Sequence, residues 1–137
     1  MTCPDCGAEA AAVTFAVPPD LREAAPDRAA VAAVCPRCLA VAPAAAFGAD
    51  ESDGEDPAFS RVHERFPAGA GGVAFALFVG TLPSVTLRKE SASRLRAAAE
   101  REGVDVDLAL DRLAGAPGVE PQFDLERRAA QADALLE

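Results

Sequence analysis

Acidic residues outnumber basic residues in this chain of 137 residues, which has 22 Asp and Glu, 13 Lys and Arg, and a formal net charge of −9. That balance argues against a protein that holds nucleic acid on a broad basic surface, since phosphate contacts need clustered Lys and Arg. Lys89 is the only lysine. An acidic, lysine-poor surface stays soluble in concentrated salt, so we expect a halophilic cytoplasm as the setting, with a specific acidic partner surface as the alternative.

The chain contains two CPxC pairs, Cys3 with Cys6 and Cys35 with Cys38, and 28 residues separate them. A pair with this spacing grips one ion on a tight turn, and two pairs complete the tetrahedron that Zn²⁺ adopts in a closed structural site. We therefore predict that Cys3, Cys6, Cys35 and Cys38 hold one structural zinc ion.

The residues next to the cysteines suit tight turns. Pro4 and Pro36 fix φ inside each pair, and Gly7 provides conformational freedom directly after the first pair. Leu39 occupies the corresponding position after the second pair. That turn therefore has to be closed by a residue that carries a Cβ.

Three other uses of the thiols remain open. Disulfides need an oxidising compartment, and because no apolar leader precedes Cys3 we expect the chain not to be exported. A thioredoxin-like redox pair would follow a strand and begin a helix, which does not suit a pair at residues 3–6. An iron centre of rubredoxin type uses the same ligands, but the chain has no Trp or Tyr to wall the metal. Zinc is therefore favoured.

Short runs of small apolar residues surround the cysteine pairs. They predict three antiparallel strands over residues 11–17, 29–34 and 39–42, with the last two flanking the second pair. Residues 20–25 can form one helical turn, which Pro26 is expected to stop.

Through the motifs CPDCG and CPRC, residues 1–43 resemble the zinc-ribbon superfamily. The whole chain is similar to an uncharacterised zinc-ribbon protein family of halophilic archaea, in which a helical tail ends in a segment like FDLERR, residues 123–128 here. The resemblance implies metal ligation by the four cysteines, and it implies no enzymatic residue.

The segment DESDGED, residues 50–56, carries a charge of −5, more than half of the net charge. It has no apolar residue to bury, so we predict a solvated linker, with a site for a cation or a basic partner as the alternative. The predicted fold class is α+β: a small three-stranded zinc ribbon over residues 1–49, this acidic linker, and a C-terminal helical domain over 57–137.

Residues 66–87 contain no charged side chain over 22 positions and are followed by Arg88 and Lys89. A stretch of that length can span a bilayer, so a membrane helix is one interpretation. Its glycines and prolines favour the other, a Gly-rich loop that leads into one buried helix over residues 72–82, ended near Pro83.

Apolar residues recur at helical spacing in the rest of the chain. This pattern predicts a short helix over residues 57–66, a helix over 92–102 that ends before Gly103, a helix capped by Asp105, and a last helix over 124–136. The residues expected in the core of the helical domain are Phe59, Phe66, Phe75, Leu77, Phe78, Leu82, Leu95, Leu110, Leu113, Phe123 and Leu136.

Nothing in the chain indicates an enzyme. His63 is the only histidine, and four cysteines already complete a zinc shell, so we assign it no metal or catalytic role. The segment GAGG at residues 69–72 lacks the Lys and Ser or Thr of a phosphate-binding loop. We therefore expect no catalytic residue and no cofactor other than zinc.

Two classes of function are consistent with these features. The first is a structural zinc protein that acts as an interaction module or adaptor for an unknown protein partner. The second is a nucleic-acid-binding zinc ribbon, whose best basic stripe is formed by Arg88, Lys89, Arg94, Arg96 and Arg101. We expect the first, because Glu90 and Glu100 offset the stripe.

Overall fold

A computed structural model describes residues 2–9, 12–49 and 57–136. The expected linker at residues 50–56 lies outside the described residues. A three-stranded antiparallel sheet comes first and four α-helices follow, which confirms the predicted α+β class.

The sheet has the strand order β1-β2-β3, with β1 at Val13–Ala16, β2 at Val31–Val34 and β3 at Val41–Pro43. Both pairings are antiparallel, and Val34 lies opposite Val13 on one side and Val41 on the other. The three predicted strands are present. β2 and β3 flank the second cysteine pair, as the sequence indicates.

Three short 3-10 turns connect and follow the strands, at Pro19–Ala24, Pro26–Arg28 and Ala44–Phe47. The first corresponds to the helical turn predicted at residues 20–25. It ends before Pro26, as expected, and the chain then leaves the right-handed helical path, since Asp27 and Arg28 have φ values of +52° and +54°.

The helices are α1 at Gly69–Thr81, α2 at Lys89–Arg101, α3 at Val106–Ala114 and α4 at Leu125–Leu135. The predicted cap of α3 is present, since Asp105 accepts a hydrogen bond from the Leu108 N–H at 3.1 Å. Asp124 caps α4 in the same way, through the Arg127 N–H at 3.0 Å.

The helix predicted over residues 57–66 is wrong. Only Phe59–Arg61 is helical there, as a single 3-10 turn, and the His63 ring accepts a hydrogen bond from the Arg65 N–H at 3.0 Å in the turn that follows. A helix of so few residues gains little from its own hydrogen bonds, so packing decides the path of the chain. Phe59 and Phe66 are nevertheless buried, with ring centroids 5.0 Å apart.

Helix α1 is the buried helix expected within residues 66–87, although it begins earlier than the predicted residue 72. Every residue of 71–79 is buried. Gly80 permits the close approach of β3, since a Cβ there would lie 2.7 Å from the Val41 Cβ. Across the described residues, no helix combines the length and apolar character needed to cross a bilayer.

The sheet and the helices share one hydrophobic core. Phe15 of β1 lies 5.6 Å from Phe59, centroid to centroid, and Phe66 lies 5.2 Å from Phe75 of α1. Most of the expected core residues are fully buried, whereas Phe123 and Leu136 are only partly so. The division into a ribbon and a helical domain stays a prediction, to be judged against this continuous packing.

Candidate metal centre

The two cysteine pairs adopt the same backbone turn. In the first, the Gly7 N–H donates to the Cys3 carbonyl at 3.1 Å; in the second, the Leu39 N–H donates to the Cys35 carbonyl at 3.0 Å. A second bond closes each turn, from the Cys3 N–H to the Ala8 carbonyl at 3.0 Å and from the Cys35 N–H to the Ala40 carbonyl at 2.9 Å. We call these turns the first and second knuckles, residues 3–8 and 35–40.

Leu39 takes the backbone conformation of the glycine that it replaces. Its φ is +65°, close to the +73° of Gly7. The left-handed conformation costs a residue with a Cβ about 1–2 kcal/mol. Leu39 is 1% exposed and lies in the main core, where burying a leucine contributes about 1.5–3 kcal/mol. Burial therefore offsets the backbone strain.

The knuckles bring the four sulfur atoms together. Cys3 Sγ lies 3.5 Å from Cys38 Sγ, Cys6 Sγ lies 3.8 Å from Cys35 Sγ, and all four atoms lie within 4.8 Å of one another. A tetrahedron with metal–sulfur bonds of about 2.3 Å has sulfur–sulfur edges of about 3.8 Å. The four cysteines can thus hold one metal ion.

Backbone donors support the first cysteine of each knuckle. The Cys6 N–H approaches Cys3 Sγ at 3.5 Å, and the Cys38 N–H approaches Cys35 Sγ at the same distance. Hydrogen bonds to sulfur stabilise the thiolate, which is the form that binds metal. The equal distances follow from the equal turns.

A small apolar cluster surrounds the sulfurs. Phe47, from the 3-10 turn after β3, packs with Ala12 and Ala33 against the cysteines, and its carbonyl accepts the Thr2 N–H at 3.1 Å. Cys3, Cys35 and Cys38 are buried, while Cys6 is partly exposed. The sequence did not single out Phe47, because nothing local connects residue 47 with the cysteines.

Burial opposes ionisation of the thiols when no cation is bound. It raises the pKa of Cys38 well above its usual range and also raises the pKa of Cys35. A hydrogen bond to the Ala8 backbone lowers the pKa of the more exposed Cys6. A bound dication reverses this balance, since it compensates the negative charge of closely spaced thiolates. The donor set therefore fits a thiolate-bound metal.

A family model matches residues 2–136, nearly the whole chain, and its description is a family of unknown function, DUF6276. The chain belongs to that family. No curated protein and no solved structure matches. The family description gives no metal, activity or organism, so the expected relationship to zinc ribbons and to haloarchaeal proteins stays a prediction.

The second knuckle is tied to the connection between α3 and α4. The Arg37 guanidinium donates to a Glu120 carboxylate oxygen through Nε at 3.3 Å and Nη2 at 3.1 Å, and this pairing raises the pKa of Arg37. The Glu120 N–H donates to the Arg37 carbonyl at 2.6 Å. These residues are 83 positions apart, so no sequence pattern indicates that they meet.

The predicted basic stripe is largely occupied by contacts within the protein. Arg88 donates to the Ala24 carbonyl at 2.9 Å, and Arg94 lies 3.4 Å from a carboxylate oxygen of Glu23. The Arg96 side chain, only 17% exposed, reaches carboxylates on three sides. These contacts connect α2 and the residue before it to neighbouring segments. His63 is not one of the residues in the cysteine cluster.

Proposed function

We propose that this protein is a structural zinc protein whose Cys3, Cys6, Cys35 and Cys38 hold one Zn²⁺. The observation that carries the proposal is the pair of matched knuckles, which bring four sulfurs within 4.8 Å of one another. Four soft, tetrahedrally arranged thiolates suit zinc, with iron as the alternative ion for the same donors. A reducing cytoplasm keeps such thiols free for metal, which is the compartment we propose.

We further propose that the chain acts as an interaction module or adaptor and not as an enzyme. A metal with four protein ligands has no open position for substrate or water, which distinguishes structural from catalytic zinc. A closed site of this kind contributes to the fold, so the proposed activity belongs to the surfaces that the fold presents to a partner protein.

Nucleic-acid binding is the less favoured function. Arg88, Arg94 and Arg96 make contacts within the chain, which removes much of the basic stripe that phosphates would need. Binding of that class would also have to overcome the net charge of −9.

Affinity capture from a native high-salt lysate tests the adaptor function. We expect the tagged wild-type chain to retain defined proteins after nuclease treatment, and Cys35→Ser with Cys38→Ser to retain fewer of them. The tagged Glu64→Gln variant, changed at an exposed position outside the knuckles, is the control. Retention of nothing, or only of nuclease-sensitive RNA or DNA, would overturn the adaptor proposal.

A further inference from the structure

Helices α3 and α4 form a groove whose lining residues include none from the knuckles. Its volume is about 560 Å³, within the range of about 300–1,000 Å³ typical of ligand-binding clefts. Leu110 and Leu125 close its floor and are themselves 5% and 6% exposed, whereas the small side chains of Ala129 and Ala130 leave apolar surface accessible. An apolar floor of this kind fits apolar side chains of a ligand.

Carboxylates form both rims of the groove. Asp107 and Asp111 lie one turn apart on α3, and Glu126 and Asp133 lie on α4. Within the part of the chain that the structure describes, no basic residue lines this cavity. The charge of the rims therefore favours a cationic ligand over a neutral or anionic one.

At one end of the groove, a cationic side chain that does not line the cavity pairs with one carboxylate of each rim. Arg96 of α2 places Nη2 3.2 Å from Asp107 and Nη1 4.0 Å from Asp133, so one guanidinium bridges the two rims. Its side chain is 17% exposed. The rims at this end are thus spaced to accept a guanidinium between them.

The other end has carboxylates without such a partner. Among the described residues, neither Asp111 nor Glu126 forms an ion pair. A smaller cavity of about 250 Å³ shares Ala114, Leu125 and Glu126 with the groove and adds the partly buried Phe123. The apolar surface of the groove and the smaller cavity is therefore longer than one docked side chain would cover.

We propose that this groove docks a cationic amphipathic helix of a partner protein. The apolar side chains of the helix would lie on Ala129 and Ala130, whose small side chains leave the groove accessible. Its Lys or Arg residues would pair with Asp111 and Glu126 as Arg96 pairs at the other end. This inference rests on the proposed adaptor function, for which it names the chemistry of the partner.

Charge and apolar character together favour a cationic amphipathic helix over a second copy of the chain, a lone cation or a polyamine. A second copy of the chain also carries a net charge of −9, so two copies repel at an acidic rim. A lone cation or a polyamine would satisfy the carboxylates and leave the apolar floor uncovered. A cationic amphipathic helix satisfies both.

The test uses a synthetic amphipathic peptide of about 18 residues, five helical turns, with leucines on one face and Lys and Arg on its flanks. It is titrated against the full, metal-loaded chain at the lowest salt concentration at which circular dichroism shows a folded protein. We expect saturable binding that Asp111→Asn with Glu126→Gln weakens roughly three- to tenfold, the change expected from losing two partly exposed ion pairs. Ala130→Leu, which fills the groove, should also weaken binding.

Matched controls separate the groove from general electrostatic attraction. Asp20→Asn with Glu64→Gln removes the same charge from exposed positions elsewhere, and Ala70→Leu adds the same bulk at the exposed start of α1. Both should bind the peptide like wild type. An equal loss in the controls, no saturable binding, or binding of a peptide whose Lys and Arg are all replaced by Glu would overturn the proposal.

Two further results distinguish this inference from the adaptor function. If wild type and the Asp111→Asn, Glu126→Gln variant retain the same proteins from lysate, the proposed role of the groove is wrong and the proposed adaptor function remains. If wild type retains none while the peptide binds in the groove, the adaptor function fails and the groove proposal stands. A wild-type dimer that Ala130→Leu dissociates would make a second copy the occupant and overturn the proposed partner.

Discussion

The two faces of the sheet meet two different kinds of interior. Val13, Phe15 and Val34 belong to the large core that the helices share, whereas Ala33, between them in register, belongs to the small cluster around the cysteines. The alternation of side chains along a strand produces this division. One interior is apolar throughout, while the other is built around four thiols.

The difference shows what each region needs in order to be stable. The large core gains stability from buried phenylalanine and leucine side chains, because removing their apolar surface from water is favourable without any bound ion. Among the described residues, Phe47 is the only large side chain in the cysteine cluster, so burial alone stabilises the cluster little. The proposed metal ion would supply the stability that burial does not give the cysteine cluster.

Removal of two ligands should have the largest effect on this comparison. Cys35→Ser with Cys38→Ser is expected to abolish stoichiometric metal and to open residues 2–49 to protease. Structural zinc in small peptides contributes roughly 10–16 kcal/mol of apparent binding free energy, more than the usual net stability of a domain. Metal analysis and limited proteolysis measure these two outcomes.

The same variant also tests whether the two interiors are separable. We expect most helical circular dichroism to persist, with a lower melting temperature because Phe59 loses its contact with Phe15. For a domain of the size of the helical region, a decrease of about 1 kcal/mol in the free energy of unfolding lowers the melting temperature by roughly 4–8 °C. Complete loss of helix would show one cooperative unit and contradict the division at residues 50–56, while an unchanged melting temperature would show independent regions.

Two buried phenylalanines provide a matched pair for the next largest effect. Phe15→Ala and Phe47→Ala should each lower the free energy of unfolding by about 3–5 kcal/mol, since both side chains are buried. Phe15→Ala should destabilise the helices and leave the rate of metal removal by a chelator nearly unchanged. Phe47→Ala should accelerate metal removal. Identical behaviour of the two variants would contradict the separation into two interiors.

The two knuckle turns allow a smaller and sharper comparison. Gly7→Ala should lower the free energy of unfolding by about 1–2 kcal/mol through backbone strain alone, because a Cβ there meets no atom within 4 Å. Leu39→Gly relieves the same strain but loses a buried side chain worth about 2–5 kcal/mol, for a net loss of up to about 4 kcal/mol. Denaturant titration of the metal-loaded proteins measures both, and stabilisation by Leu39→Gly would show that strain outweighs burial.

The smallest effect is expected at the link between the second knuckle and the α3–α4 connection. Arg37→Ala removes an ion pair whose side chains are 57% and 66% exposed, and exposed pairs contribute little. The backbone bond from Glu120 to the carbonyl of residue 37 remains possible. We expect Arg37→Ala to leave the melting temperature in high salt unchanged, and Glu120→Gln to give the same result. A large loss would show that the side-chain pair couples the two regions.

Features determined by local sequence could be predicted. The spacing of the cysteines indicated two tight turns, and both are present with their four sulfurs within 4.8 Å of one another. Asp105 indicated the start of α3, because a capping side chain bonds within its own turn. Leu39 departs from the glycine pattern of the first knuckle. Its +65° φ shows how the second turn closes all the same.

Features determined by distant contacts could not be predicted. The helix expected over residues 57–66 does not form, because packing determines the path of this segment. Phe59 packs between Phe15, from the first strand, and Phe66, which follows it in the chain. The Arg37–Glu120 link and the position of Phe47 likewise depend on how separate segments meet. Periodicity reports which side chains are buried, but not against which partner.

The most direct test of the central claim is the identity and coordination of the metal in protein purified without added metal. Elemental analysis with X-ray absorption at the zinc edge should find one zinc per chain, bound by four sulfurs at about 2.3 Å. Titration of denatured, metal-stripped protein should then find four free thiols. Iron in place of zinc, fewer than four sulfur ligands, or disulfides in the native protein would contradict a structural zinc centre formed by Cys3, Cys6, Cys35 and Cys38.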